Sequence, residues 1–201
     1  MKLKRLTAYI IDMIIVVIIS SMLFTTIYPK RAEENTEIAQ EVLESFKRLG
    51  SSEEKVDSEL QELSYRMEKV TQPLTIIQIS VTIIYFIFLQ YFMNGQTLGK
   101  KALKIRVKQE KEKKLIPSLF VLRETILLLI PTKIIQIICL MELKMTNYYR
   151  VSSIIQNINL IVYLAIIGTI IFREDERGLH DLIGKTKVVK TTKKKEIEED
   201  Q

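Results

Sequence analysis

The chain has 201 residues, 47% of them hydrophobic, a formal charge of +6, one histidine and one cysteine. A single cysteine excludes a disulfide framework, and one cysteine with one histidine excludes a metal-ligand cluster at ordinary spacing. The apolar residues gather in runs near the ~20 residues that cross a ~30 Å hydrocarbon core, separated by dense Lys/Glu blocks, which excludes an ordinary soluble domain.

The first apolar run covers residues 6–28. "MKLKR" before it resembles the start of a signal peptide, but the run is longer than an h-region, Asp12 interrupts it, and no A-x-A-like site ends it. The expectation is an uncleaved helix. An unpaired Asp at a span centre costs about 2.5–3.5 kcal/mol, so something must meet Asp12. Arg5 shares its face but sits about 10.5 Å away along the axis, and its side chain points back toward the N-terminus. Arg5 is therefore expected to snorkel to the lipid headgroups, leaving Asp12 to another helix.

Residues 30–72 alternate acidic and basic residues around two apolar stripes, Ile38, Val42, Phe46, Leu49 and then Val56, Leu60, Leu63, Met67, Val70. Gly50 reads as a helix stop and Ser51 to Glu54 as a capping box. Two antiparallel amphipathic helices are expected, continuing the first and second spans outside the membrane, with their stripes facing each other.

The second span is placed at 74–93, introduced by Pro73. Gln78, Thr82 and Tyr85 align on one of its faces. The third, at 125–143, contains Lys133 and Gln136, with a kink expected at Pro131. The fourth, at 151–172, aligns Gln156, Asn159 and Tyr163. If these faces meet Asp12, the bundle has a polar seam, serving either as an ion path or as interhelical hydrogen-bond glue. Lysine and arginine crowd the N-terminus, the loop after the second span and the tail, so both termini and that loop are expected in the cytoplasm.

Two stretches outside the spans stand out. "NGQTLGKKALKIRV" carries Gly95, Gln96, Thr97, Gly99 and Lys100, and "EDERGLHDLIGKTKVV" carries Gly178, His180, Asp181 and Gly184. Neither is a phosphate loop. The first has three residues between its glycines and Lys101 where a hydroxyl is needed; the second has Leu179 in place of the first glycine. "KIRVK" and "KTKVVK" alternate as short strands and are expected to pair with each other. His180 beside Asp181 has no nucleophile near it in sequence, so a polar contact holding the segment to the helix ends is favoured over acid–base chemistry. Residues 191–201 read as a charged, solvated tail.

"RLTAYIID" with Arg5 and Asp12, "LRE" at Leu122 to Glu124, "GQTLGKKALKIRV" and "RGLHDLIGKTKVV" with Asp181 resemble the signatures of the RDD family of bacterial membrane proteins. The resemblance covers nearly the whole chain apart from the 30–72 segment and the tail. It implies a multi-pass plasma-membrane protein, with transport, including sodium/proton antiport, as the activity associated with some members.

The expected fold is an all-α membrane protein: a four-transmembrane-helix bundle with an extracytoplasmic helical hairpin and a small cytoplasmic β element. Two functions compete. In the first, the chain is a small transporter or ion antiporter, oligomeric because four spans are few, with Asp12 holding a sodium ion or proton. In the second, it is a non-catalytic scaffold or accessory subunit in which Asp12 is a helix–helix lock. No catalytic constellation points to an enzyme, and no cofactor or metal is implied. The expected partners are the bilayer and its anionic headgroups; nothing beyond charge suggests nucleic acid.

Overall fold

The computed structural model describes residues 1–47, 53–111 and 114–191, most of them helical. The first apolar run is α1 (Lys2–Ile27). Its buried residues, Ala8, Asp12, Val16, Ser20 and Phe24, recur every four positions, so one narrow stripe meets the rest of the protein. Ile10, Ile14, Val17, Ile18 and Met22 stay exposed on its other faces. Apolar surface this continuous along a helix is suited to hydrocarbon rather than water.

After a break at Tyr28, α2 (Pro29–Lys47) leaves the bundle and α3 (Glu53–Val70) packs along it. Ile38, Leu63 and Val70 form their shared core, flanked by Val42 and Met67. The stripes therefore face each other as expected, with one departure. Phe46 is 55% exposed, and Ser45 takes the inward position, donating to the Glu41 carbonyl and the Glu59 carboxylate. At 3.6 residues per turn the seventh residue after Ile38 lies closer to its face than the eighth. The expected stop at Gly50, the cap at Ser51, the Leu49 and Val56 side chains and the tail after Thr191 lie outside the described residues.

The second apolar run begins as α4 (Gln72–Ile83), with Pro73 in its first turn. It passes through a π-helical segment, Ile84–Leu89, and ends in a short turn, α5 (Gln90–Phe92). A small motif follows: α6 (Leu98–Ala102) and β1 (Ile105–Gln109). The third apolar stretch is α7 (Pro117–Leu128) and α8 (Ile130–Glu142), bent by 56°. The break falls at Leu129, which adopts a left-handed conformation (φ 51°), not at Pro131 as expected. A continuous helix would bring the Pro131 ring against the carbonyl four residues back and lose that carbonyl's bond; restarting at Ile130 places Pro131 in a first turn, where it costs nothing.

The chain continues as α9 (Met145–Phe172), which begins ahead of the expected start at Val151, then α10 (Leu179–Ile183) and β2 (Thr186–Lys190). The two strands pair antiparallel with Val107 opposite Val188 and Ile105 opposite Lys190. Ile105, Val107 and Val188 close over Ala8 and Phe120, so the sheet lids one end of the bundle and the α2–α3 hairpin stands at the other. Three stretches, Lys2–Ile27, Gln72–Phe92 and Met145–Phe172, are long and apolar enough to cross a membrane; the bent α7–α8 pair is a broken span or a re-entrant loop.

The hairpin core is separate from the bundle's clusters. Truncating the fully buried Ile38 to Ala is expected to destabilise the hairpin by about 2–5 kcal/mol. Limited trypsinolysis in detergent should then cut at Lys47 and Arg66 earlier than in the parent while the fragments spanning the bundle persist.

Candidate functional site

Asp12 lies on the buried stripe of α1, three turns from its start, and is wholly buried. Three donors converge on it. The Tyr85 hydroxyl donates to Oδ1 at 2.7 Å, the Gly99 backbone N–H donates to the same oxygen at 2.7 Å, and the Thr97 hydroxyl donates to Oδ2. Tyr85 in turn accepts from the Leu98 N–H at 3.2 Å. Thr97 caps α6, accepting from the Lys100 N–H, while its own proton goes to Asp12. The acid of the first helix is thus held by a tyrosine of the second run and by the "TLG" turn that follows it.

Two backbone features make this possible. A Cβ on Gly99 would sit 2.8 Å from Asp12 Oδ1 and closer still to the Ala8 carbonyl, so only glycine lets this turn approach α1. Gly95 (φ 82°) turns the chain immediately after α5, where any Cβ would strike the Val107 carbonyl of β1. Gln96 then ties the turn to the sheet, its amide donating to the Ile105 carbonyl and to Thr191 Oγ1, both at 3.2 Å. The π-helical segment contributes as well. With i→i+5 spacing it brings Tyr85 and Gln90, five residues apart, toward one side, and both are buried.

A second acid, Asp181, anchors an ionic network next to the first. Arg5 donates to Asp181 Oδ2 and to the Glu176 carbonyl. Arg123 Nε donates to Asp181 Oδ1 at 2.9 Å, and its Nη1 pairs with Glu124. Gln90 links the chain onward: its amide donates to Glu124 Oε1 at 3.1 Å, and its carbonyl accepts from Lys100 Nζ at 2.7 Å. Asp181 also accepts from the Gly178 N–H at the start of α10. Gly184, just after that helix, packs on the Arg123 side chain and accepts from Gln109 at 3.0 Å. Asp12, Glu124 and Asp181 are thereby set among Arg5, Lys100 and Arg123, three negative groups among three positive.

Charge and burial compete here. Burial alone would raise the Asp181 pKa, but Arg123 and Arg5 outweigh it and hold the carboxyl well below its usual range. His180 has the opposite fate: burial, reinforced by Arg123, pushes it down to about 3, so its ring stays neutral. Its Nε2 lies 3.4 Å from Asp181 Oδ1 and its Nδ1 has no hydrogen-bond partner among the described residues. Burial likewise pulls the Lys100 ammonium down to about 8.

Several expectations are corrected. Arg5 does not snorkel; it reaches Asp181, because α10 closes over the start of α1 and offers it an anion. Lys100, Arg106 and Arg123, which belong to the basic segment between the second and third spans, are buried. The polar seam does not form around Asp12. Of the residues proposed to meet it only Tyr85 does. Gln78, Lys133 and Gln136 line a separate cavity with Glu68 and Tyr148. The 56° break redirects α8 and leads Lys133 and Gln136 away, and Gln78 lies about two turns before Tyr85, nearer the hairpin end. Gln156 donates to Ser152 Oγ at 3.4 Å, and the buried Asn159 Oδ1 has no hydrogen-bond partner among the described residues. Arg123, Glu124 and Gln90 were missed as site residues, although the first two are adjacent charges at the entry to an apolar run, a placement that itself signals pairing.

Two outcomes test the network. Asp181→Ala leaves Arg5 and Arg123 without their shared anion and is expected to cost about 3–5 kcal/mol, read as a lowered unfolding temperature in detergent. His180 protonates more readily unfolded than folded, so its contribution is intact above pH 6.5 and is lost as pH falls from there toward 3. Stability should fall by up to about 1.4 kcal/mol per pH unit over that interval, and His180→Asn should flatten the slope between pH 6.5 and 4.

The model of the RDD family matches residues 2–185, which include every residue of both clusters. No curated protein and no solved structure matches the chain. With Arg5, Asp12 and Asp181 gathered at one end of an apolar helical bundle, and the family's model matched over nearly its whole length, the chain belongs to the RDD family.

Proposed function

We propose that this RDD-family membrane protein is a non-catalytic scaffold or accessory subunit of the plasma membrane, in which the buried acids lock a folded cap onto a four-span bundle. The α7–α8 pair is the broken third span. Both termini and the cap lie in the cytoplasm, and the hairpin lies outside, as the distribution of lysine and arginine favours. The N-terminal ammonium lies 3.3 Å from Glu176 Oε1 and Lys2 donates to the Ile171 carbonyl, which supports placing the start of α1 and the end of α9 at the same face.

One observation carries the reading: Asp12 is completely buried, and its two oxygens are already taken by Tyr85, Thr97 and Gly99. A carboxylate that carries an ion must exchange partners with water and cargo. One whose partners are a backbone N–H and two hydroxyls, fixed by a glycine approach, is built to stay bonded. Charge-assisted hydrogen bonds of this kind contribute about 1.5–3 kcal/mol each, enough to offset the cost of placing the acid in the bundle. The alternative, a sodium/proton antiporter with Asp12 as the carrier, is separated from the lock by the same substitution.

Asp12→Asn puts an NH2 group where one carboxylate oxygen now accepts, and Tyr85→Phe removes one donor. Both are expected to lower abundance and detergent stability, the first by about 2–4 kcal/mol. Vesicles carrying either variant should show no less sodium-dependent proton movement than vesicles carrying the wild type, because the scaffold has no such flux to lose. Well-folded Asp12→Asn protein that loses a sodium-dependent proton flux shown by the wild type would establish the antiporter instead.

A further inference from the structure

The second place where polar groups converge is at the hairpin end, far from the acids of the cap. A cavity of about 270 Å³ lies there between the end of α3, the first half of α4, α8 and the start of α9. Its lining includes the amides of Gln72, Gln78 and Gln136, the Glu68 carboxylate, the Tyr148 hydroxyl and Lys133. Glu68 is engaged, accepting from the Tyr148 hydroxyl. Gln136 donates toward Tyr148 and Ser152 at the long distances of 3.4 and 3.3 Å. Lys133 makes no side-chain hydrogen bond or ion pair with any described residue. Its charge shares a cavity with Glu68 without pairing with it.

An ammonium group within an apolar helix is costly, and such groups are ordinarily paired or facing a polar path. Here the ammonium shares its cavity with three side-chain amides and makes no ion pair with a described residue, the Glu68 carboxylate being engaged by Tyr148. The hairpin completes the site: Glu68 comes from α3, Tyr65 of α3 donates to the Leu143 carbonyl at 2.9 Å, and Tyr149 of α9 donates to the Gln61 carbonyl at 3.0 Å. These bonds hold α3 across the mouth of the α8–α9 connection. The volume exceeds that of a single bound water by roughly an order of magnitude, which is room for a compact solute or a headgroup.

We propose that this cavity binds a phosphate group, belonging either to a small solute or to a lipid headgroup, with Lys133 as its counter-ion and the Gln78 and Gln136 amides as hydrogen-bond donors. Lysine binds phosphate as a point charge, and the amides supply direction. The site stands apart from the Asp12 lock and does not depend on it.

The test uses the full chain in nanodiscs. In one arm inorganic phosphate is titrated into protein held in phosphatidylcholine; in the other, phosphatidylglycerol replaces part of the phosphatidylcholine. Melting temperature and native mass spectrometry are the readouts. A saturable stabilisation by phosphate alone identifies a solute site, one by phosphatidylglycerol alone a headgroup site, and one by both a site that accepts phosphate from either source. In each case Lys133→Met should weaken the response by about tenfold or more, and Lys133→Arg should retain most of it. Lys133→Met removes a half-buried charge that pairs with no described residue and should fold at least as well as the parent. Gln136→Leu, which keeps the charge, should weaken binding less. No saturable response in either arm, or a Lys133→Met response equal to that of the parent, would overturn the proposal.

Discussion

Asp12 constrains the whole architecture. A carboxylate buried in an apolar bundle must be met by donors, and α1 has none to give, because the helix backbone is already bonded to itself. The donors come from the second apolar run and the turn that follows it. To deliver them, that run unwinds into a π-helical segment that aims Tyr85, turns at Gly95, and presses Gly99 against the Ala8 carbonyl. The short helix α6 and the sheet behind it take their positions from this contact. The cap is folded around an acid that belongs to a different helix.

The ionic network extends the same logic sideways. Arg5 and Arg123 share Asp181, Arg123 also holds Glu124, and Gln90 relays from Glu124 to Lys100. Each buried charge is costly alone, and each is tolerable because its neighbours are fixed by other contacts. Stability in this region is therefore shared: the start of α1, the middle of α7, α5, α6 and α10 hold or fail together. This arrangement suits a cap that must remain docked at a membrane surface, where loosely held basic segments would otherwise be drawn to anionic headgroups.

The two ends of the bundle are built on different principles. At the sheet end, opposite charges pair with one another. At the hairpin end, Lys133 and Glu68 share a cavity unpaired, and tyrosines of α3 and α9 clasp the hairpin over it. Paired groups hold structure, whereas an unpaired ammonium is available to a ligand, and this contrast underlies both the proposed lock at the acids and the proposed binding site at the other end.

The linear pattern of residues determined the membrane character, the apolar runs, the paired helices of the hairpin and the strand pairing, because each follows from local periodicity or from a short alternating stretch. It also singled out Arg5, Asp12, Thr97, Gly99 and Asp181 as exceptional, since charges in apolar runs and glycines beside lysines are visible without coordinates. Which groups meet was decided only in three dimensions. Asp12 and Gly99 are separated by 87 positions, and Arg5 and Asp181 by 176, so no helical or strand period relates them. The break at Leu129 turned Lys133 and Gln136 toward the Glu68 cavity instead of Asp12, and the π-helical segment brought Gln90 toward the side of Tyr85, which a regular helix would not have done. Periodicity describes one element at a time, whereas partners for buried charges are fixed by how elements bend and close on one another.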